Sequence, residues 1–227
     1  MTPAAAALIA RSVLSCPSAV TLRVDGADPA VEHDGCEVTT DVHGVPVFAT
    51  APGSALVAGA EHGRGAVVEV SSGLGAPATR ERGLRLVMRG RLGRREAGCR
   101  CCADDRALVA VELEAVMLLR GSLAVPVDLH EFRDRRHVLN EGYLQRTAEH
   151  ANEAHEPELR TATAAALGLP VRTLLAAGLR RVDPGGVEVA WVDEAGAHTR
   201  RLEFVQPVTT PQELDAALRS RLHAGLC

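Results

Sequence analysis

The chain has 227 residues, 46% hydrophobic but only 2% aromatic, with a formal charge of -4. Its length suits an ordinary domain with a small companion. So acidic a chain, with one Trp, one Tyr and three Phe, has neither the basic surface that phosphate backbones need nor the rings on which bases stack, which argues against nucleic acid.

All 25 basic residues are arginine, so Schiff-base chemistry lacks its lysine, while bidentate clamps for carboxylate or phosphate remain open. No apolar run approaches the ~20 residues of a membrane span. The N-terminus ends its apolar stretch at Ser15-Cys16, but it has no basic n-region and carries Arg11 inside that stretch. We read residues 3–15 as an amphipathic opening helix, and expect a cytoplasmic chain whose six cysteines are reduced.

Ala19 to Val24 alternates like a strand, and Cys36–Thr39 with Val45–Ala49 reads as a hairpin through Asp41-Val42-His43-Gly44. Ser54 to Ala60 is a short helix or strand, and Ala66 to Val70 a strand. The following SSGLGAP loop has no phosphate-cradling glycine spacing, which sets aside a dinucleotide site. In the next segment Leu84, Leu86 and Met88 alternate with Arg85, Val87 and Arg89, one face apolar and the other mostly cationic. With one slip at Gly83, Arg82 joins that cationic face. A cysteine-rich loop follows, then strands from Ala107 to Leu119 and from Leu123 to Val127. Short strands with turns every ~8 to 12 residues predict a barrel rather than a doubly wound sheet. The charged break from Asp128 to Arg136 divides a first domain, 1–128, from a second, 137–227.

In the second domain, a helix within Leu139 to Leu159 ends near Glu156, because the residue before Pro157 avoids the α region. Pro157 starts another helix, which stops at Gly168 and Pro170. Three strands follow, Arg172–Val182, Val187–Val192 and Thr199–Val205, turned by Asp183-Pro184-Gly185-Gly186 and Asp193-Glu194-Ala195-Gly196. Thr210-x-x-Glu213 opens a last helix, Pro211 to Leu222. The fold class is therefore α+β: a barrel, then a small α+β domain with a three-stranded meander.

His150 and His155 lie about 140° apart on an ideal helix, too far round to clamp one metal as an i,i+4 pair does. They are expected to act separately. Cys99 and Cys102 have knuckle spacing for zinc but no second knuckle, and a reactive thiol loop fits them equally. His43, His62, His130, His137, His198 and His223 stand in turns or charged segments and read as surface positions. There is no nucleophile elbow and no H-E-x-x-H, which leaves hydrolase readings unsupported.

HGVPVFAT and ERGLRLVMRGRL, after an opening helix, resemble the flavin-binding split barrels related to pyridoxamine phosphate oxidase. EHANEAHEPEL, LRRVDPGGVEVAWVDEAGAHTRRLEF and PVTTPQEL resemble the small C-terminal domain of HugZ-type haem-utilisation proteins. The resemblance implies a homodimer with ligand sites between subunits. For haem it implies an axial histidine from the C-terminal region, for which His150 and His155 are the candidates; read from the residues, Tyr143 on the face of His150 is a second ligand, a hydrogen-bond donor or interface packing, and the cationic face of Arg82, Arg85 and Arg89 suits propionates. Catalysis would then be oxidative opening of the porphyrin, as in a haem oxygenase. The same arginines would hold the phosphate of FMN in a flavin-dependent oxidoreductase. A third possibility is a regulatory or interaction module that has kept the fold without a cofactor.

Overall fold

The hydroxyl of Thr2 accepts the Ala5 N–H at 3.3 Å and Pro3 stands in the first turn, so the chain enters a helix at once, α1 (Pro3–Ser15). The structure, a computed structural model, describes residues 1–26, 37–95 and 106–222. It divides into two compact units, Met1–Val138 and Leu139–Cys227.

The first unit is built on an antiparallel sheet of seven strands: β1 (Pro17–Val24), β2 (Glu37–Thr40), β3 (Pro46–Thr50), β4 (Gly65–Ser72), β5 (Leu84–Arg95), β6 (Ala107–Arg120) and β7 (Leu123–Val127). Their order is β1-β4-β5-β6-β3-β2, with β7 also paired to β6. β3 takes the Ala107 end of β6 and β7 takes its Arg120 end, so the longest strand is shared by two short ones and the sheet curls as a half-barrel. A bulge between Arg89 and Gly90 adds to the bend. This bears out the barrel expected from the alternation and is consistent with the split barrel that the resemblance implies.

Period-two patterning sets what lies inside. Leu84, Leu86, Met88 and Leu92 of β5 are buried with Val68 and Val70 of β4 and with Val109, Val111 and Leu118 of β6, whereas Arg85, Arg89 and Arg91 face out. Ala7, Ala10 and Val13 of α1 complete this core together with Leu56 of α2 (Ala55–Glu61), the short segment after β3, which is a helix capped by Ser54. Each large side chain fully removed from water contributes about 1.5 to 3 kcal/mol. The charged break folds as well: α3 (Leu129–Phe132) and a 3-10 turn (Arg135–His137) belong to the first unit and bury Phe132 and His137.

In the second unit, Asn140 caps α4 (Glu141–Ala154) by accepting the Tyr143 N–H at 3.0 Å. Helix α5 (Glu156–Leu167) ends at Gly168, whose φ of 68° is the left-handed conformation of a C-terminal glycine. The meander is β8 (Ala176–Asp183), β9 (Gly186–Asp193) and β10 (Gly196–Glu203), and α6 (Pro211–Leu222) opens with the reciprocal Thr210 and Glu213 bonds of a capping box. The strand expected from Arg172 starts only at Ala176. Val171–Thr173 forms a 3-10 turn instead, because the N–H and hydroxyl of Thr173 both bond the Pro170 carbonyl, at 3.0 and 2.7 Å.

Packing of α4 against β8 has a specific anchor. The side-chain amide of Asn152 donates to the Leu179 carbonyl at 2.8 Å and accepts the Leu179 N–H at 2.7 Å, acting as a one-residue substitute for a neighbouring strand. Gly178 makes that approach possible, since a Cβ there would stand 2.9 Å from the Asn152 oxygen. Leu144, Ala148 and Ala151 of α4 then close with Leu159, Val187, Val189, Leu214 and Leu218 into one core.

Candidate functional site

The helix that carries His150 stops one residue short of His155. With φ -132° and ψ 31°, His155 leaves the helical path at the joint between α4 and α5, its N–H on the Ala151 carbonyl at 3.1 Å and its own carbonyl accepting Leu159 N–H at 2.8 Å. The ring is thereby swung back toward His150. Their centroids are 5.3 Å apart and the planes cross at 80°, edge to face. The wide angular separation expected of one continuous helix therefore does not apply, because the break falls between the two residues. His150 is exposed and His155 half-buried.

Among the described residues no group of three or more His, Cys, Asp or Glu side chains is arranged to hold a metal ion. Cys99 and Cys102 lie outside the described residues. Tyr143 is half-buried against the core of the second unit, two turns and about 10 Å of helix rise before His150. Burial raises the pKa of its phenol, and the Asp215 carboxylate raises it further.

In the first unit, Arg85 and Arg89 lie on the outward face of β5 as the alternation requires. Their ladder neighbours are uncharged, Ser71 and Leu119 for Arg85, Val67 and Ala115 for Arg89, while Arg91 pairs with Glu114 at 3.0 Å. Arg82 is not on that strand. It stands in the turn before Leu84, its Nε donating to the Gly75 carbonyl at 3.2 Å. The cationic face thus consists of Arg85 and Arg89 with Arg91 next to them.

Two of the remaining histidines, His137 and His198, are not where a surface reading puts them. His43, His62 and His130 are exposed, but His137 keeps only 6% of its surface. Its Nε2 accepts a long hydrogen bond of 3.5 Å from Arg136 Nε. Burial, then the Arg136 charge, lower its pKa from the ordinary imidazole value. His198 is half-buried, its ring stacked on Trp191 at 5.2 Å and its Nε2 2.9 Å from Asp193 Oδ1. That contact leads the causes holding the Asp193 carboxyl below its usual range. His223 lies outside the described residues. Spacing gave no sign of the burial of His137, which follows from a 3-10 turn folding an otherwise charged segment back on α1.

No family model and no curated protein matches this chain. Among solved structures it is similar to a haem binding protein from Mycobacterium smegmatis, at 17% identity over 96% of each chain with a TM-score of 0.45. A protein of unknown function from Agrobacterium tumefaciens is similar at 19% identity, over 95% of this chain and 94% of that one, with a TM-score of 0.44. Both fall below the level at which a likeness transfers residues or ligands.

Proposed function

We propose that this chain binds haem, with one imidazole of the His150–His155 pair as the axial ligand. The observation that supports the reading is the joint between α4 and α5, where a helix break sets an exposed imidazole against a second, half-buried one. A single histidine is a sufficient protein ligand for haem iron, and a neighbouring side chain that fixes its ring tunes its basicity. His150, the more exposed ring, is the ligand in this reading, and His155 orients it. Bound haem supplies an iron centre that can activate dioxygen, with the protein limited to orientation and shielding.

Titration with haemin tests the proposal directly. A shifted Soret band that is lost in His150→Ala and weakened in His155→Ala supports it; a spectrum of free haemin in the unaltered protein overturns it. Adding a reductant and following the decay of that band reads whether binding extends to opening of the porphyrin.

The outward arginines form a separate part of the proposal. Arg85 and Arg89, with uncharged cross-strand neighbours, suit an anionic group such as a propionate or the phosphate of FMN. FMN is the second reading. Retention of a yellow cofactor, or quenching of FMN emission that is lost in Arg85→Gln/Arg89→Gln, favours it over haem. A homodimer belongs to either reading, and sedimentation tests it. If neither pigment binds, the interaction module is the reading that remains.

A further inference from the structure

We propose that the second unit carries a binding site for a small monocarboxylic acid, in a hollow of about 230 Å³ between α6 and the segment 204–208, with Arg221 as the cation that receives the carboxylate.

The hollow is held open by its own frame. Phe204 and Val208 are buried at the two ends of the segment, and each is tied to the turn between β8 and β9. The Phe204 N–H donates to the Gly185 carbonyl at 2.8 Å and the Val208 N–H to the Pro184 carbonyl at 2.9 Å. Just beyond, the Glu213 carboxylate accepts the N–H groups of Thr209 and Thr210 at 2.7 and 3.2 Å and the Thr209 hydroxyl at 2.9 Å, which fixes the segment to the first turn of α6. From α6 itself the lining side chains are Ala216, Ala217 and Ser220, too short to fill the space. Walls that are bonded before a ligand arrives lose little binding energy to ordering.

Charge selects the occupant. Arg219 and Arg221 both lie in the last turn of α6, where the helix dipole favours cations. Arg219 has Asp215 four residues before it and pairs with it, whereas the residues three and four before Arg221 are Leu218 and Ala217. Glu213, the one carboxylate among the lining residues, is occupied by Thr209 and Thr210. Among the described residues Arg221 therefore has no ion pair, and its Nε is buried without a hydrogen-bond acceptor. The dipole accounts for a cation at this end of the helix but not for a buried N–H left unbonded. A carboxylate oxygen supplies the missing acceptor in a charge-assisted bond.

The walls set the rest of the ligand. Phe204, Val205, Pro207 and Val208 are apolar, and Val205, 89% exposed, is a large apolar side chain that an occupant covers. A strongly hydrated dianion such as phosphate would give up its water against these walls with one cation in return. The volume lies below the roughly 300 Å³ at which pockets for drug-sized molecules begin, so the acid is small, a carboxylate on a short branched or aromatic body. The hollow shares no residue with the His150–His155 joint or with the outward arginines of β5, and its test is independent of the haem reading.

Benzoate is the probe, titrated into the intact chain and followed by proton–nitrogen correlation spectra, with benzamide as its neutral counterpart and inorganic phosphate as an anion without an apolar body. Saturable shifts centred on 204–208 and 213–221 are expected with benzoate, at a dissociation constant about 10-fold or more below that of benzamide, and none with phosphate. Arg221→Gln should bring benzoate level with benzamide. Ala216→Leu, at an exposed position of α6, should fill the hollow and abolish both. Should Arg221→Gln fail to fold by circular dichroism, Ala216→Leu and the benzamide comparison in the unaltered chain decide. No saturable shift with benzoate at about 20 mM, well above a millimolar constant, overturns the proposal. So does equal binding of benzamide or phosphate in the unaltered chain, or benzoate binding that survives unchanged in either variant.

Discussion

In the first unit a helix is fixed by a charge, and in the second by a neutral amide. Arg11 of α1 keeps only 3% of its surface, donates to the carbonyls of Phe132 and Val42 at 3.1 and 3.3 Å, and lies 5.6 Å from the Phe132 ring. Gly44 is shaped to it: a Cβ there would meet the guanidinium at 2.7 Å. Burial lowers the pKa of this arginine, and the nearby Asp41 works against that shift. Asn152 of α4 performs the corresponding task on Leu179 without any charge, in a partly exposed position. A buried cation satisfies several distant carbonyls at once but carries a desolvation penalty that its neighbours must offset, whereas an amide satisfies one donor and one acceptor at little risk. The first arrangement is therefore sensitive to every charge placed near it, His137 included, and the second is not.

Arg11→Ala breaks the comparison most severely. The buried Phe132 carbonyl and the part-buried Val42 carbonyl lose their donor and a cavity opens beside Phe132, so a loss of roughly 3 to 5 kcal/mol is expected in calorimetric unfolding of the first unit. Arg11→Met, which fills the space and removes the buried charge, should cost distinctly less; an equal cost would mean that the hydrogen bonds, and not the volume, hold α1.

Asn152→Ala is the matching change in the second unit. It should cost about 1 to 2 kcal/mol, since water can reach the freed groups of Leu179. Gly178→Ala should cost about 1 kcal/mol alone and almost nothing on top of Asn152→Ala, because the clash it introduces is with the Asn152 oxygen. Full additivity in that double-mutant cycle would separate the glycine from the anchor.

The smallest effect is an acid one. Arg201 reaches both oxygens of Asp183, at 2.7 and 2.8 Å, and holds its carboxyl at about 2. A carboxylate with a depressed pKa stabilises the fold above its free value and loses that contribution as pH falls toward 2. Second-unit stability should fall slightly between pH 4 and 2, and by less in Arg201→Gln, where the Gly185 N–H remains on the Asp183 carboxylate.

Most of the secondary structure was legible in residue order, for physical reasons that recur along the chain. Alternation placed Leu86 and Met88 inside and Arg85 and Arg89 outside, and the Thr210 and Glu213 box marked where α6 begins. Three features were not legible. Arg82 required a count of strand residues that the turn at Gly83 cuts short. The approach of His155 to His150 depends on one residue leaving the helix, which shifts its direction by far more than a helix-wheel position. The burial of Arg11 and His137 joins residues distant in sequence, and a charged residue in an apolar helix or a polar segment gives no local sign of such a partner.

Trp191 is stacked on His198 in the second unit, where Tyr143 also lies, and the chain has no other tryptophan or tyrosine. Near-ultraviolet absorbance above the phenylalanine band, and indole fluorescence with it, therefore originates entirely from the second unit. An optical melt at these wavelengths follows that unit alone while the split barrel stays dark, so the two halves of the chain can be resolved by choice of detector without cutting them apart.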